Sequence, residues 1–166
     1  MLPDTGTILI SSPTLKDDFF NKAVLLITQY NKQGAMGFVI NQPYSRPLNQ
    51  LQAFTHLPPV TLYHGGPVDN EHLFMLHRQP ALIQNSQPVT PELWMGGLLE
   101  QAAPFISNSR LGNKDIKLLI GYCGWDAGEL EAEIEEGSWL IVNAHTDIIF
   151  TTTPYLLWQQ LLDESK

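Results

Sequence analysis

The run of residues best equipped for chemistry is Gly121-Tyr-Cys-Gly-Trp-Asp-Ala-Gly-Glu-Leu-Glu131. The apolar stretch Ile116 to Tyr122 reads as a buried strand entering a glycine-spaced loop, followed by a helix over Asp126 to Glu136. Gly121, Gly124 and Gly128 would let the backbone approach a bound group, and a helix N-terminus offers free N–H donors. Asp126 and Glu129 are spaced as a capping box. The competing reading is a tight turn that lets Trp125 pack. Asp126, Glu129, Glu131, Glu133, Glu135 and Glu136 crowd this segment, with no Lys or Arg near in sequence. It also lacks the Lys-Ser/Thr ending of a phosphate loop and the form of a dinucleotide fingerprint. An anionic ligand is therefore disfavoured.

Cys123 ends that strand, where a helix N-terminus could lower a thiol pKa, but a nucleophile also needs a base and an orienting group. A small buried residue is the plainer reading. His64, His72 and His77 suggest a metal, yet His72 and His77 are five apart on one strand and face opposite ways. No metal and no cofactor are expected. Glu129, Glu133 and Glu136 fall on one helical face, which reads as the solvated side of a helix burying Ala127, Leu130 and Ile134. Gly65-Gly66-Pro67 reads first as a corner and second as a ligand-approach loop.

The elements that must position these residues follow from periodicity and breakers. Strands are expected at Thr7 to Ser12, Ala23 to Tyr30 and Met36 to Asn41, the last two forming a hairpin across Asn31-Lys-Gln-Gly34. Asp17, Asp18, Phe19 and Phe20 can make a short helical turn. Pro47, Leu48, Leu51 and Phe54 predict a helix with proline in its first turn. Strands are expected at Val60 to His64, His72 to His77 and Ser138 to Ala144, helices at Leu93 to Phe105 and Pro154 to Leu162, and an irregular stretch over Gln79 to Pro91. Strands interleaved with helices predict an α/β fold, a layered single domain over 1–166 with a mixed, partly antiparallel sheet flanked by helices and room for a small inserted subdomain.

Composition limits the function classes. The 166 residues carry a net charge of −8 and are 16% charged, against about 25% in an ordinary globular domain. Residues 1–117 are neutral overall, so the whole charge lies in residues 118–166. Lys16, Lys22, Lys32, Arg46, Arg78 and Arg110 are scattered, and Lys114 with Lys117 is the nearest approach to a basic patch. Direct nucleic-acid binding is disfavoured. A lone cysteine, no basic leader and no apolar run of membrane-spanning length predict a cytoplasmic protein without a membrane role.

Taken in order, Thr7 to Pro13, Ala35-Met-Gly-Phe-Val-Ile-Asn41-x-Pro43, Gly65-Gly-Pro-Val68, Gly96-Gly97 and Gly121-Tyr-x-Gly-Trp-x-x-Gly-x-Leu-Glu131 resemble the bacterial YqgE/AlgH family from about residue 6 to Trp158. The resemblance implies an α/β layered fold with a mixed sheet and no established reaction, with one branch labelled a transcriptional regulator. It marks Gly37, Asn41, Gly65, Gly66, Pro67, Gly121, Gly124, Trp125, Gly128 and Glu131 as characteristic positions. Gln42 stands where a basic residue commonly precedes the proline, and Glu129 where glutamine is frequent, both making the charge more negative.

Three functions remain open. The first is a non-enzymatic regulatory or interaction protein, binding a protein partner or a small neutral or cationic ligand through Asn41, His64, Gly65, Gly66, Pro67, Gly121, Gly124, Trp125, Gly128 and Glu131. The second is an enzyme on the same face, with Asn41, His64 and Glu131 as its polar groups and Cys123 available; these must converge for it to hold. The third is a transcriptional regulator acting on DNA directly.

Overall fold

Apolar runs and turn residues set the strand order in the computed structural model, which describes residues 2–17 and 19–166. The strands are β1 (Ile8–Ser11), β2 (Val24–Asn31), β3 (Gly34–Val39), β4 (Leu62–His64), β5 (Val68–His77), β6 (Ser86–Thr90), β7 (Leu93–Gly96), β8 (Ile116–Asp126) and β9 (Trp139–Val142). The helices are α1 (Leu99–Ser107), α2 (Glu129–Glu135) and α3 (Pro154–Glu164). The sheet runs β6-β7-β5-β8-β3-β2-β1-β9 and curls into a half-barrel. Its pairs are antiparallel except β4, which lies parallel to β8. The predicted α/β class, mixed sheet and β2–β3 hairpin are all present.

β8 carries the architecture. Its first half pairs with β5 and β4, and its second half pairs with β3. Between them stands Gly121 at φ +78°, a left-handed conformation open to glycine at little cost. The strand therefore bends there and passes from one half of the sheet into the other. Three apolar clusters follow. One fills the curl beneath α3, with Phe38, Leu76, Leu119 and Trp158. A second lies under α1 and the 48–54 segment, with Leu48, Leu62, Ile83 and Ala102. A third lies under α2, with Leu9, Leu25, Leu130 and Trp139. Trp158 Nε1 donates to the Ser11 carbonyl at 2.9 Å and ties α3 to β1.

Four sequence expectations change. The helix expected from Pro47 is two short 3₁₀ turns, Leu48–Gln50 and Gln52–Phe54, because apolar residues at spacing three suit a three-residue turn equally well. The Leu93 to Phe105 helix is a strand followed by α1, since Gly96 and Gly97 both take positive φ and break it. The irregular stretch 79–91 contains edge strand β6, where Pro88 is tolerated. The strand at 116 runs to Asp126, so Gly124 and Trp125 are strand residues and only Ala127 and Gly128 intervene before α2. In the 17–20 turn the Asp17 carboxylate accepts from the Phe19 and Phe20 amides; Asp18 lies outside the described residues.

Candidate functional site

The β2–β3 hairpin, the end of β8 and α2 form one face. β3 meets β8 through Gly34↔Asp126 and Ala35↔Trp125, which sets the Trp125 ring against the hairpin. Trp125 is half-buried and, with Gln29, Asn31, Gln33, Gly34, Ala35 and Met36, lines an open hollow of about 250 Å³. Its Nε1 donates to Glu133 Oε1 at 3.1 Å, and the same oxygen accepts from Trp139 Nε1 at 3.0 Å. Glu133 therefore leaves the solvated face predicted for it and holds two indoles in place, while Ala127, expected on the buried stripe, is exposed. We expect Glu133→Ala to cost about 2 kcal/mol, because both indole donors lose a charged acceptor. Urea unfolding followed by tryptophan emission measures this cost.

Charge gathers on the same face. Tyr30 has its phenol pKa raised, first by desolvation and then by the Glu131 carboxylate beside it, with Asp4 adding to the effect. The Asp126 amide donates to Glu129 Oε1 at 2.6 Å, one half of the predicted capping box. The N-cap itself is Gly128, in a left-handed conformation and without a side-chain cap. Among the described residues no cation pairs with Asp126, Glu129 or Glu131. The face can therefore accept positive charge and an apolar or aromatic contact together.

The glycines outside this face mark a backbone crossing. A Cβ on Gly66 would stand 2.0 Å from the Tyr122 carbonyl carbon, and one on Gly65 2.5 Å from the Gly121 oxygen. The Gly65 amide donates to the Ile120 carbonyl, and its own carbonyl accepts from the Val39 amide. The Gly65-Gly66-Pro67 corner thus lies flush against the bend at Gly121 and leaves no cradle between them. Pro67 contributes its carbonyl to the Asn70 side-chain amide.

The other predicted residues do not converge. Asn41 is buried: its Oδ1 accepts from the Val24 amide at 2.9 Å and its Nδ2 donates to the Lys22 carbonyl at 3.0 Å. It pins the start of β2, whereas Glu131 lies beside Tyr30 near the other end, about 20 Å away at roughly 3.3 Å per strand residue. His64 Nε2 is within 3.0 Å of Asn70 Oδ1, and its ring packs on Phe19. The set Asn41, His64 and Glu131 forms no common cleft. Cys123 is buried, its Sγ donates to the Gly65 carbonyl, and burial pushes the thiol up to about 12, the opposite of an activated thiolate. His72 is paired with Asp69, and His77 lies fully buried with its Nδ1 accepting from the Gln79 amide. Among the described residues no His, Cys, Asp and Glu side chains are grouped to hold a metal ion.

One residue was missed. Lys117, read in sequence with Lys114 as the nearest approach to a basic patch, is 4% exposed. Its Nζ donates to the Ile40 carbonyl at 2.6 Å and stands 3.7 Å from the centre of the Tyr63 ring. Burial lowers its pKa to about 7, and among the described residues no carboxylate pairs with it. The available sign was its place inside the apolar run from Ile116 to Tyr122.

An AlgH-like family model matches residues 8–166. A UPF0301 protein of Chlorobium chlorochromatii is 32% identical over 156 residues, covering 93% of this chain and 82% of the relative. One from Cytophaga hutchinsonii is 33% identical over 158 residues, covering 95% and 87%. The solution structure of AlgH from Pseudomonas aeruginosa matches at a TM-score of 0.75 and 30% identity, over 97% of this chain and 87% of that one. A crystal structure of a Corynebacterium diphtheriae protein matches at a TM-score of 0.80 and 20% identity, over 99% and 88%. No helix among the described residues is long and apolar enough to cross a membrane. The chain belongs to the AlgH-like family.

Proposed function

We propose that the protein is a non-enzymatic interaction protein whose Trp125 face docks a basic segment of a protein partner. The observation that carries this is the half-buried Trp125 ring, oriented by Glu133 over a polar hollow and bordered by Asp126, Glu129 and Glu131. A cation over an indole face is attracted by about 0.5–2 kcal/mol, and the carboxylates would steer and hold it. Asn41, His64 and Glu131, the polar groups a reaction on this face would use, are held apart by their own partners, which favours binding over catalysis. The regulatory role we assign is therefore exerted through a protein partner, and the acidity of this face works against contact with DNA. A single buried thiol suits the reducing cytoplasm in which we place the protein. An oligo-arginine peptide is the probe, with oligo-glutamate as control. Calorimetry should show binding of the first alone, weakening as salt rises, and Trp125→Ala should weaken it about tenfold. Equal binding by the variant would overturn the assignment.

A further inference from the structure

The two ends of the sheet are built differently. β6 is a blunted edge: Pro88 lacks a donor and the register slips between Pro88 and Thr90. β9 has no such guard. It reads Trp-Leu-Ile-Val, without charge, proline or bulge, and among the described residues it pairs with β1 alone. The Ser12 amide donates to the Ser138 carbonyl, which fixes the hydrogen-bonding phase: Ser138, Leu140 and Val142 face β1. The backbone donors and acceptors of Trp139, Ile141 and Asn143 therefore point away from the sheet.

We propose that this edge pairs antiparallel with β9 of a second copy of the chain about a two-fold axis at Ile141. The outward set is symmetric about Ile141. Trp139 then opposes Asn143 of the partner copy, Ile141 opposes Ile141, and each opposed pair exchanges two hydrogen bonds. Leu140, 36% exposed in the single chain, comes opposite Val142 of the other copy and is covered by it. A one-residue slip would set each outward residue opposite one whose amide is committed to β1. The two-residue slip that puts Leu140 opposite itself leaves Asn143 without a partner in the outward set, so the register with Ile141 on the axis uses every free group. The strand is four residues long, so the dimer is a weak one that fills only at high concentration.

Amide hydrogen exchange at about 10 µM and about 1 mM tests this. The expected result is alternation: Trp139, Ile141 and Asn143 gain protection at high concentration, while Leu140 and Val142 are protected at both. The sedimentation mass should rise toward twice that of the chain over the same range. Asn143→Pro removes an outward donor at an exposed residue, and Leu140→Lys places a charge in the new contact; each should hold the mass at that of the single chain. Exchange at Trp139, Ile141 and Asn143 that is independent of concentration, or a dimer that survives both variants, would overturn the proposal.

Discussion

Gly66→Ala should destabilise the protein by about 3 kcal/mol or more and lower its melting temperature by about 10 °C. The added methyl would meet the Tyr122 carbonyl carbon at 2.0 Å, its oxygen at 2.1 Å and the Cys123 nitrogen at 2.6 Å. All three are backbone atoms of β8, so no rotamer change can relieve the clash. Relief requires moving the corner away from the bend at Gly121, which disturbs both the Gly65–Ile120 and the Gly65–Val39 hydrogen bonds. The other motif glycines supply the contrast. A Cβ on Gly124 comes no closer than 3.5 Å to an atom of Tyr122, and one on Gly128 meets nothing within 4 Å, though at φ +85°. Gly124→Ala should be close to neutral, and Gly128→Ala should cost about 1 kcal/mol for its left-handed backbone. A ligand cradle would give another order, with oligo-arginine binding lost at Gly124 and Gly128 while stability held. Thermal unfolding of the three variants, together with oligo-arginine calorimetry on Gly124→Ala and Gly128→Ala, decides between the two.

Stability should rise by about 2 kcal/mol between pH 7 and pH 9, level off, and fall above about pH 10.5. Lys117 causes the rise. Its pKa is lowered from 10.5 to about 7 by burial, so between these values the unfolded chain binds the extra proton and the folded chain does not. Unfolding then takes up a proton, and raising the pH opposes it. Cys123 has the reverse relation, since the unfolded thiol ionises near 9.0 while the buried one stays protonated to about 12. Above pH 9 it offsets the Lys117 gain, and stability falls once the unfolded lysine titrates near 10.5. His77, lowered by desolvation, acts at lower pH, where its protonation favours the unfolded chain. Lys117→Met, which keeps the length of the side chain without its charge, should flatten the rise and raise stability at pH 7. Urea midpoints for both proteins across this range measure the difference, and parallel curves would contradict the burial of the ammonium.

What the sequence disclosed tracks what local chemistry determines. The β2–β3 hairpin was legible because an apolar run, Asn31 to Gly34 and a second apolar run specify it locally. α3 was legible because Pro154 opens a helix whose Leu157, Trp158 and Leu161 face inward. The 48–54 turns were not, since a spacing of three suits two helix types. The glycines around 121 were seen, but their purpose was hidden: whether a glycine faces a ligand or another backbone depends on a corner 55 residues earlier, at Gly66. Glu133 and Lys117 were misplaced for a related reason. Periodicity assigns a charged residue to water, whereas Trp125 and Trp139 in one case, and Ile40 and Tyr63 in the other, give it partners that are distant in sequence.

Backbone chemical-shift mapping with oligo-arginine tests most directly the claim that the glycine corners are structural and the Trp125 face is the docking site. The account predicts that shifts concentrate on Gln29 to Met36, on Trp125 with its indole N–H, and on Asp126 to Glu131, and that amides at Gly65, Gly66 and Gly121 stay still. Shifts centred on the Gly65-Gly66-Pro67 corner, with Trp125 unmoved, would contradict it.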